Sequence, residues 1–240
     1  MRQVFLEFPW VHPPAPEGFL ELFKTRGRYV KLAKGLSIAN GGRDGEVAWI
    51  LTGLAAYSYP NAASEPRIFG LVPPGRMMGN IDAYTSRIVN VVDFALRPIE
   101  AFLMPAAAFR DALAQAPALT ARLMKNIVDE HEADLEGAAS IASDPVERRI
   151  ARLYAALIFR DSPRETFDFA SACKTLTAPQ PIPYALSVTE TARIVGATRV
   201  RVSGILAQFE RDGRIVRKRD GERLIAPSLF EDIADWLSAS

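Results

Sequence analysis

SVTETARIVGATRVRVSGILAQFERDGRIVRKR, residues 187–219, decides how this chain is read. Ser187 followed three residues later by Glu190 is a capping box, so a helix begins there. The helix runs to Val195, and Gly196 supplies the positive-φ turn that ends it. Thr198 then caps a second helix, whose apolar residues Val202, Ile205, Leu206 and Phe209 share one face. Small Ala192 lets the second helix cross the first closely. A glycine four residues after it and a buried-type valine six residues further complete the pattern of a helix-turn-helix. At about 100° per residue, Val200 and Gly204 lie roughly opposite the apolar stripe, with Arg199, Arg201 and Ser203 on its flanks. An exposed valine beside two arginines suits a surface that meets both phosphates and methyl groups.

The residues that follow extend this reading. Arg214 to Ile225 forms two short strands joined by Asp220-Gly221, a strong hairpin signal, with Arg217, Lys218 and Arg219 near its tip. From Arg193 to Arg223 nine Lys or Arg stand against four Asp or Glu, a local excess of +5, while the whole chain carries only +1. The basic patch is therefore confined to a winged helix-turn-helix, as binding to a phosphate backbone requires. A protein-binding winged helix with a solvated basic face is the competing reading, and it leaves the exposed Val200 without a role.

Upstream, residues 29 to about 104 read as short strands, among them RYVKL, EVAWIL, RIVNVV and AFLM, punctuated by GG, DG and PPG turns. That rhythm predicts an all-β sandwich or barrel. Nothing between the strands is long enough for a crossover helix, which excludes βαβ units. From Pro117 the pattern becomes helical, with Leu119, Leu123, Ile127, Glu130, Asp134 and Ala138 at helical steps. Its apolar stripe could face a second copy or its own barrel, and pattern alone leaves both open. Asp144-Pro145 resets the chain, with Pro145 suited to the first turn of the next helix, VERRIARLYAALIF. Residues 161–185 form a proline-rich connection with one short element expected around Thr166 to Ala170.

Composition bounds the function. The 240 residues are 49% hydrophobic and 24% charged, which fits one or two ordinary globular domains. The single cysteine, Cys173, excludes an intrachain disulfide and a cysteine-ligated iron–sulfur cluster. Lys174 is its only neighbour able to lower a thiol pKa, so a redox role is not expected. His12 and His131 stand far apart without metal-type partners. The residues from 29 to 104 contain neither His nor Cys, which argues against a catalytic pocket. The first apolar run is broken by Glu7 and Pro9, unlike a signal peptide. No apolar stretch approaches the roughly 20 residues that span a bilayer. A cytoplasmic protein without membrane association is expected.

With these residues in view the chain resembles the Crp/Fnr family of bacterial transcription regulators. The strongest likeness is SVTETARIVGATRVRVSGILAQFERDGRI with the wing. KLAKGLSIANGGRDGEVAWILTGLAAYS and LVPPGRMMGN look like the family's effector domain, and together these cover most of residues 16–226. The resemblance implies an α+β chain of three parts. Residues 16–116 would form a double-stranded β-helix barrel that senses an effector, 117–143 a long dimerisation helix, and 145–240 a winged helix-turn-helix. It implies a homodimer on a near-palindromic double-stranded operator, with RNA polymerase as a further partner and no catalysis.

Matched position by position, the family's base-reading sites fall on Arg199, Val200, Ser203 and Gly204. Arg199 would pair bidentately with guanine, and Val200 would press on a thymine methyl. Ser187, Thr198, Arg201, Arg217, Lys218 and Arg219 would meet phosphates. The effector domain departs from the family. Where cyclic-nucleotide binders carry Gly-Glu, this chain has Gly79-Asn80. Where they carry Arg-Ser, it has Val89-Asn90, or Arg87 if a short gap is allowed. The expected effector is therefore a small molecule other than cyclic AMP, and no cofactor is assigned. The alternative is a constitutive DNA-binding regulator whose barrel has lost its ligand and serves as a dimerisation or partner surface.

Overall fold

The computed structural model describes residues 8–38, 45–59, 66–85, 91–163, 166–218 and 223–231. They form two compact units, one spanning His12–His131, the other holding residues 8–11 and the described chain from Glu132 on.

The first unit runs through α1 (Phe19–Arg26), β1 (Arg28–Leu32), β2 (Glu46–Thr52), β3 (Ala55–Tyr59), β4 (Arg67–Val72) and β5 (Met77–Met78). A single 3-10 turn (Asp82–Tyr84), β6 (Val92–Ala95), β7 (Ile99–Pro105), α2 (Ala106–Ala114) and the start of α3 (Pro117–Ser143) follow. The strands make two antiparallel sheets, ordered β1-β7-β2-β5 and β4-β3-β6. Alternate residues of β2 and β7 serve two cores, because successive side chains of a strand point to opposite faces. Ala48, Ile50, Ala101 and Leu103 meet Ala55, Val72 and Ala95 of the second sheet. Val47, Trp49 and Met104 face the other way, onto Phe19, Phe23, Phe109 and Leu113 of α1 and α2. Full burial of each such aromatic side chain stabilises the unit by about 1.5–3 kcal/mol.

The sequence left a sandwich or a barrel open and the resemblance implied a double-stranded β-helix barrel; no closed barrel is seen among the described residues. Among the described residues no strand is shared by the two sheets, and one isolated bridge, Ser37 to Phe94, ties the segment after β1 to β6. The β2–β7 ladder slips register between Ile50 and Thr52, and the β3–β4 ladder between Tyr57 and Ser58. Such bulges bend a strand and interrupt its pairing, leaving two inner faces packed as layers. Most of the expected strand RIVNVV lies outside the described residues, and β6 starts at Val92.

In the second unit the rest of α3 is followed by α4 (Val146–Ile158), α5 (Phe169–Thr175), β8 (Gln180–Pro181), α6 (Val188–Val195), α7 (Arg199–Arg211), β9 (Ile215–Arg217) and β10 (Arg223–Ile225). Pro145 is the residue just outside α4 rather than in its first turn. The buried Asp144 beside it accepts from Ser140 Oγ at 2.7 Å and from Arg152 Nη1 at 2.9 Å. Within the proline-rich connection α5 starts later than expected, because Asp168 caps it by accepting from Ser171 N at 2.9 Å. The connection also supplies a strand that the sequence did not reveal. β8 pairs with β10 at the edge of the sheet β8-β10-β9, where Pro181 is tolerated.

Residues 8–11 are built into this unit. Phe8, Trp10 and Val11 are fully buried. Phe8 N donates to Glu136 Oε2 at 2.8 Å and Trp10 N to the Ala133 carbonyl at 3.2 Å. Phe8 joins Phe159, Phe167 and Phe169 in a ring cluster with centroids 5.1–6.1 Å apart. Among the described residues no helix is long and apolar enough to cross a membrane.

Candidate nucleic-acid interface

The geometry of α6 and α7 follows from their caps. Ser187 Oγ accepts from Glu190 N at 3.2 Å while Glu190 Oε2 accepts from Ser187 N at 2.8 Å, satisfying two otherwise unpaired donors. Gly196 adopts φ +64°, and a Cβ there would also stand 3.2 Å from Ile141 Cδ1. Both facts call for glycine at this turn. Thr198 Oγ1 accepts from Arg201 N at 3.2 Å and starts α7.

α7 buries Val202, Ile205, Leu206 and Phe209. Its opposite face carries the residues expected to read bases. Val200 is 83% exposed, the most exposed large apolar side chain among the described residues. Arg199 and Ser203 are exposed, and a Cβ at Gly204 would meet nothing within 4 Å. So Arg199, Val200, Ser203 and Gly204 lie along one open surface.

The expected phosphate contacts are more varied. The Ser187 and Thr198 hydroxyls accept as caps and keep their own protons to donate. Arg201 is exposed, yet its Nη2 donates to Glu147 Oε1 at the start of α4. Arg217 Nη2 donates to Glu210 Oε1 at 3.0 Å, and Arg223 approaches the same carboxylate at 3.5 Å. Lys218 is exposed. Arg219 lies outside the described residues, as does the Asp220-Gly221 turn. Sequence reasoning missed Glu147 and Glu210, because the carboxylates that hold these arginines come from other elements.

In the first unit Gly79 adopts φ +78°, with a would-be Cβ 2.8 Å from the Glu46 carbonyl. Asn80 is buried, and its Nδ2 donates to the buried Glu130 Oε2 at 3.0 Å. Arg87, Val89 and Asn90, the remaining expected effector contacts, lie outside the described residues. Glu130 could have been suspected, since it occupies a helical step otherwise held by Leu119, Leu123 and Ile127.

A second polar group in this unit gave no sequence signal. His12 Nε2 lies 3.2 Å from Tyr57 Oη, and the Tyr57 ring covers Gly70, whose Cβ would stand 2.2 Å from it. Asp93 is the cross-strand partner of Tyr57 and is buried. Burial pushes its carboxyl up to about 7, Asp82 adds to the rise, and His12 opposes it. Cys173 is buried, which pushes its thiol up to about 12. Among the described residues no group of three His, Cys, Asp or Glu could hold a metal ion.

No family model matches the chain. No curated protein matches it either. Solved structures do. The c-di-GMP responsive global regulator CLP of Xanthomonas campestris is 16% identical, with a TM-score of 0.65 over 88% of this chain and 99% of that one. FixK2 of Bradyrhizobium japonicum is 12% identical, with a TM-score of 0.67 over 86% and 96%. A CRP/FNR family transcriptional regulator of Thermus thermophilus is 16% identical, with a TM-score of 0.60 over 87% and 98%.

Proposed function

We propose that this chain, whose fold is that of the Crp/Fnr-type transcription regulators, is itself a sequence-specific DNA-binding regulator that acts by binding rather than catalysis. The observation that carries the proposal is the open face of α7. Arg199, Val200, Ser203 and Gly204 line it, Val200 is 83% exposed, and the opposite face is buried. Such a helix enters the major groove by its N-terminal end. Arg199 pairs with guanine and Val200 lies against thymine. Thr198, Ser187, Lys218 and the wing arginines position the unit on phosphates. In this reading residues 145–240 form the winged helix-turn-helix, and the protein works in the cytoplasm.

A dimer is proposed for a separate reason. Along α3, Ala121, Met124, Val128, His131, Leu135 and Ala138 are all exposed at alternating steps of three and four. Met124 is 57%, Val128 52% and Leu135 41% exposed. This is the seam of a two-stranded coiled coil, and the residue-for-residue match of the seam with itself suits a second copy. Two recognition helices then reach successive major grooves about 34–36 Å apart.

Control by cyclic AMP is not proposed. The Asn80 amide is committed to Glu130, and a second carboxylate, Asp93, is buried in the same unit. An effector of other chemistry is the favoured reading, acting by shifting the population of DNA-competent dimers. The same observation favours a second reading, a constitutive regulator that needs no ligand.

The test is anisotropy of DNA from the protein's own upstream region, titrated at fixed salt with and without cyclic AMP, alongside sedimentation of the free protein. Binding by a dimer that ignores the nucleotide is the expected result, weak where another effector is needed and tight where the regulator is constitutive. Binding rescued by cyclic AMP would overturn the assignment of Asn80. Equal, weak affinity for operator and random DNA under all conditions would overturn the constitutive reading and send the search to other effectors.

A further inference from the structure

Arg201, in the first turn of α7, is already held by a carboxylate, and the carboxylate comes from a different helix. The arrangement is anchored. Arg149, in the first turn of α4, donates through Nε to the Asp144 carbonyl at 2.8 Å and through Nη1 to the Val195 carbonyl at 3.2 Å. Val195 is the last residue of α6, so this clasp holds the start of α4 against the turn that leads into α7. Glu147 sits in that same first turn, where a carboxylate is favoured by the helix dipole. From there its Oε1 accepts from Arg201 Nη2. At the other end, the Thr198 cap fixes the Arg201 backbone at the third position of α7. The Arg201 side chain is thereby turned toward α4. Arg199, two residues earlier, is exposed with no carboxylate on it among the described residues.

We propose that Glu147 is a built-in competitor for the phosphate that Arg201 would otherwise take, and so sets the strength and salt dependence of DNA binding. The proposal rests on the DNA-binding reading above. Its chemistry is that of one guanidinium fork offered two oxyanions, since carboxylate and phosphate oxygens accept from it in the same geometry. The Arg201 and Glu147 side chains are 61% and 42% exposed, so the pair is solvated and exchanges readily. DNA binding must either displace Glu147 from Arg201 or forgo that phosphate contact. In both cases the Glu147 charge stays beside the polyanion and opposes it. Affinity is held down without loss of base readout, because Arg199 and Val200 are not involved. A regulator tuned this way binds operator and bulk DNA less tightly by a common factor and leaves the ratio between them to Arg199 and Val200.

Glu147→Gln removes the charge and keeps the shape. Titrated by anisotropy against a random-sequence duplex and against DNA from the protein's own upstream region, it is expected to bind both about three- to tenfold more tightly. Its log–log salt slope should steepen by about 0.9, the signature of one added phosphate contact. Arg201→Ala should weaken binding to both duplexes in the native protein, because it leaves the Glu147 charge unpaired beside the DNA, and should remove most of the gain in the Glu147→Gln background. Thermal unfolding of each variant, expected near the native midpoint, separates a competitor from a structural brace. Unchanged or weakened binding by Glu147→Gln would overturn the proposal. If the native protein binds DNA and only this variant's gain is missing, the DNA-binding reading stands and the role of Glu147 falls. If the native protein binds neither duplex even at low salt, where non-specific binding needs no effector, both fall.

Discussion

Asn80 donates its side-chain amide to Glu130 Oε2 across 3.0 Å, joining the turn after β5 to the middle of α3, with both side chains buried. Under the resemblance, Asn80 would stand where cyclic-nucleotide binders of that family carry a glutamate. Asn80→Ala deprives a buried carboxylate of a donor and should cost about 1–3 kcal/mol, read from the urea midpoint. Asn80→Glu restores the family residue but sets two buried carboxylates against each other. It is expected to be less stable than Asn80→Ala and to gain no affinity for cyclic AMP. A stable, nucleotide-binding Asn80→Glu protein would show that the contact with Glu130 is dispensable.

Asp93 makes stability fall as pH rises. Burial raises its folded-state pKa from 3.8 to about 7, with Asp82 adding to the rise and His12 opposing it. The folded protein therefore binds this proton more tightly than the unfolded chain does. The resulting stability is fully present below about pH 4 and is lost as pH climbs through about 7, by roughly 4 kcal/mol for this group alone. Asp93→Asn should remove that slope and be more stable than the native protein at about pH 8. Denaturant unfolding at several pH values across this range provides the comparison, and parallel curves for the two proteins would contradict it.

Trp10 and Gly137 should show a reversal of sign. A Cβ on Gly137 would stand 2.5 Å from Trp10 Nε1, and Trp10 is 1% exposed at φ +64°. Gly137→Ala in the native protein should therefore destabilise it, despite the gain of up to about 1 kcal/mol that alanine brings to a helix interior. Trp10→Ala should cost about 3–5 kcal/mol through the cavity it leaves. In that background Gly137→Ala should become stabilising. A double-mutant cycle by calorimetry reads the coupling directly.

Cys173 should be inert until the protein unfolds. Its thiol is buried and its pKa pushed up to about 12, so almost no thiolate exists at mildly alkaline pH. Labelling by a disulfide reagent under those conditions is expected to follow the rate of unfolding and to accelerate with urea. Rapid labelling of the native protein would place the thiol at a reachable surface.

Arg199 and Lys218 should separate base reading from phosphate holding. Arg199→Ala is expected to cost about 1–3 kcal/mol on the operator and to relax discrimination at one base position. Lys218→Ala should weaken operator and random DNA nearly equally and flatten the salt dependence. Equal losses on both DNAs for Arg199→Ala would remove it from the base-reading set.

The helical interface was legible because its signals are local. Ser187 and Glu190, Gly196, and Thr198 each act on backbone groups within four residues, and the structure places the expected caps and turn at those positions. The open face of α7 follows from helical period alone once Val202, Ile205, Leu206 and Phe209 are known to be buried. The strand β8 was not legible, because two residues including a proline carry no periodicity and are strand only through their pairing with β10. Barrel closure could not be judged either, since alternation predicts which face of a strand is apolar and not which edge finds a partner.

What the sequence determined by itself is thus the set of elements governed by neighbours along the chain: capped helices, the αL glycine turn, and the local excess of basic charge over residues 193–223. What only the tertiary structure decided is which distant groups meet. Glu147 reaches Arg201 across 54 positions, Glu130 reaches Asn80 across 50, and Phe8 reaches Glu136 across 128. Caps and turns are fixed by bonds a few residues long. Ion pairs and buried polar contacts are fixed by packing, which brings together residues whose separation along the chain carries no record of their distance in space.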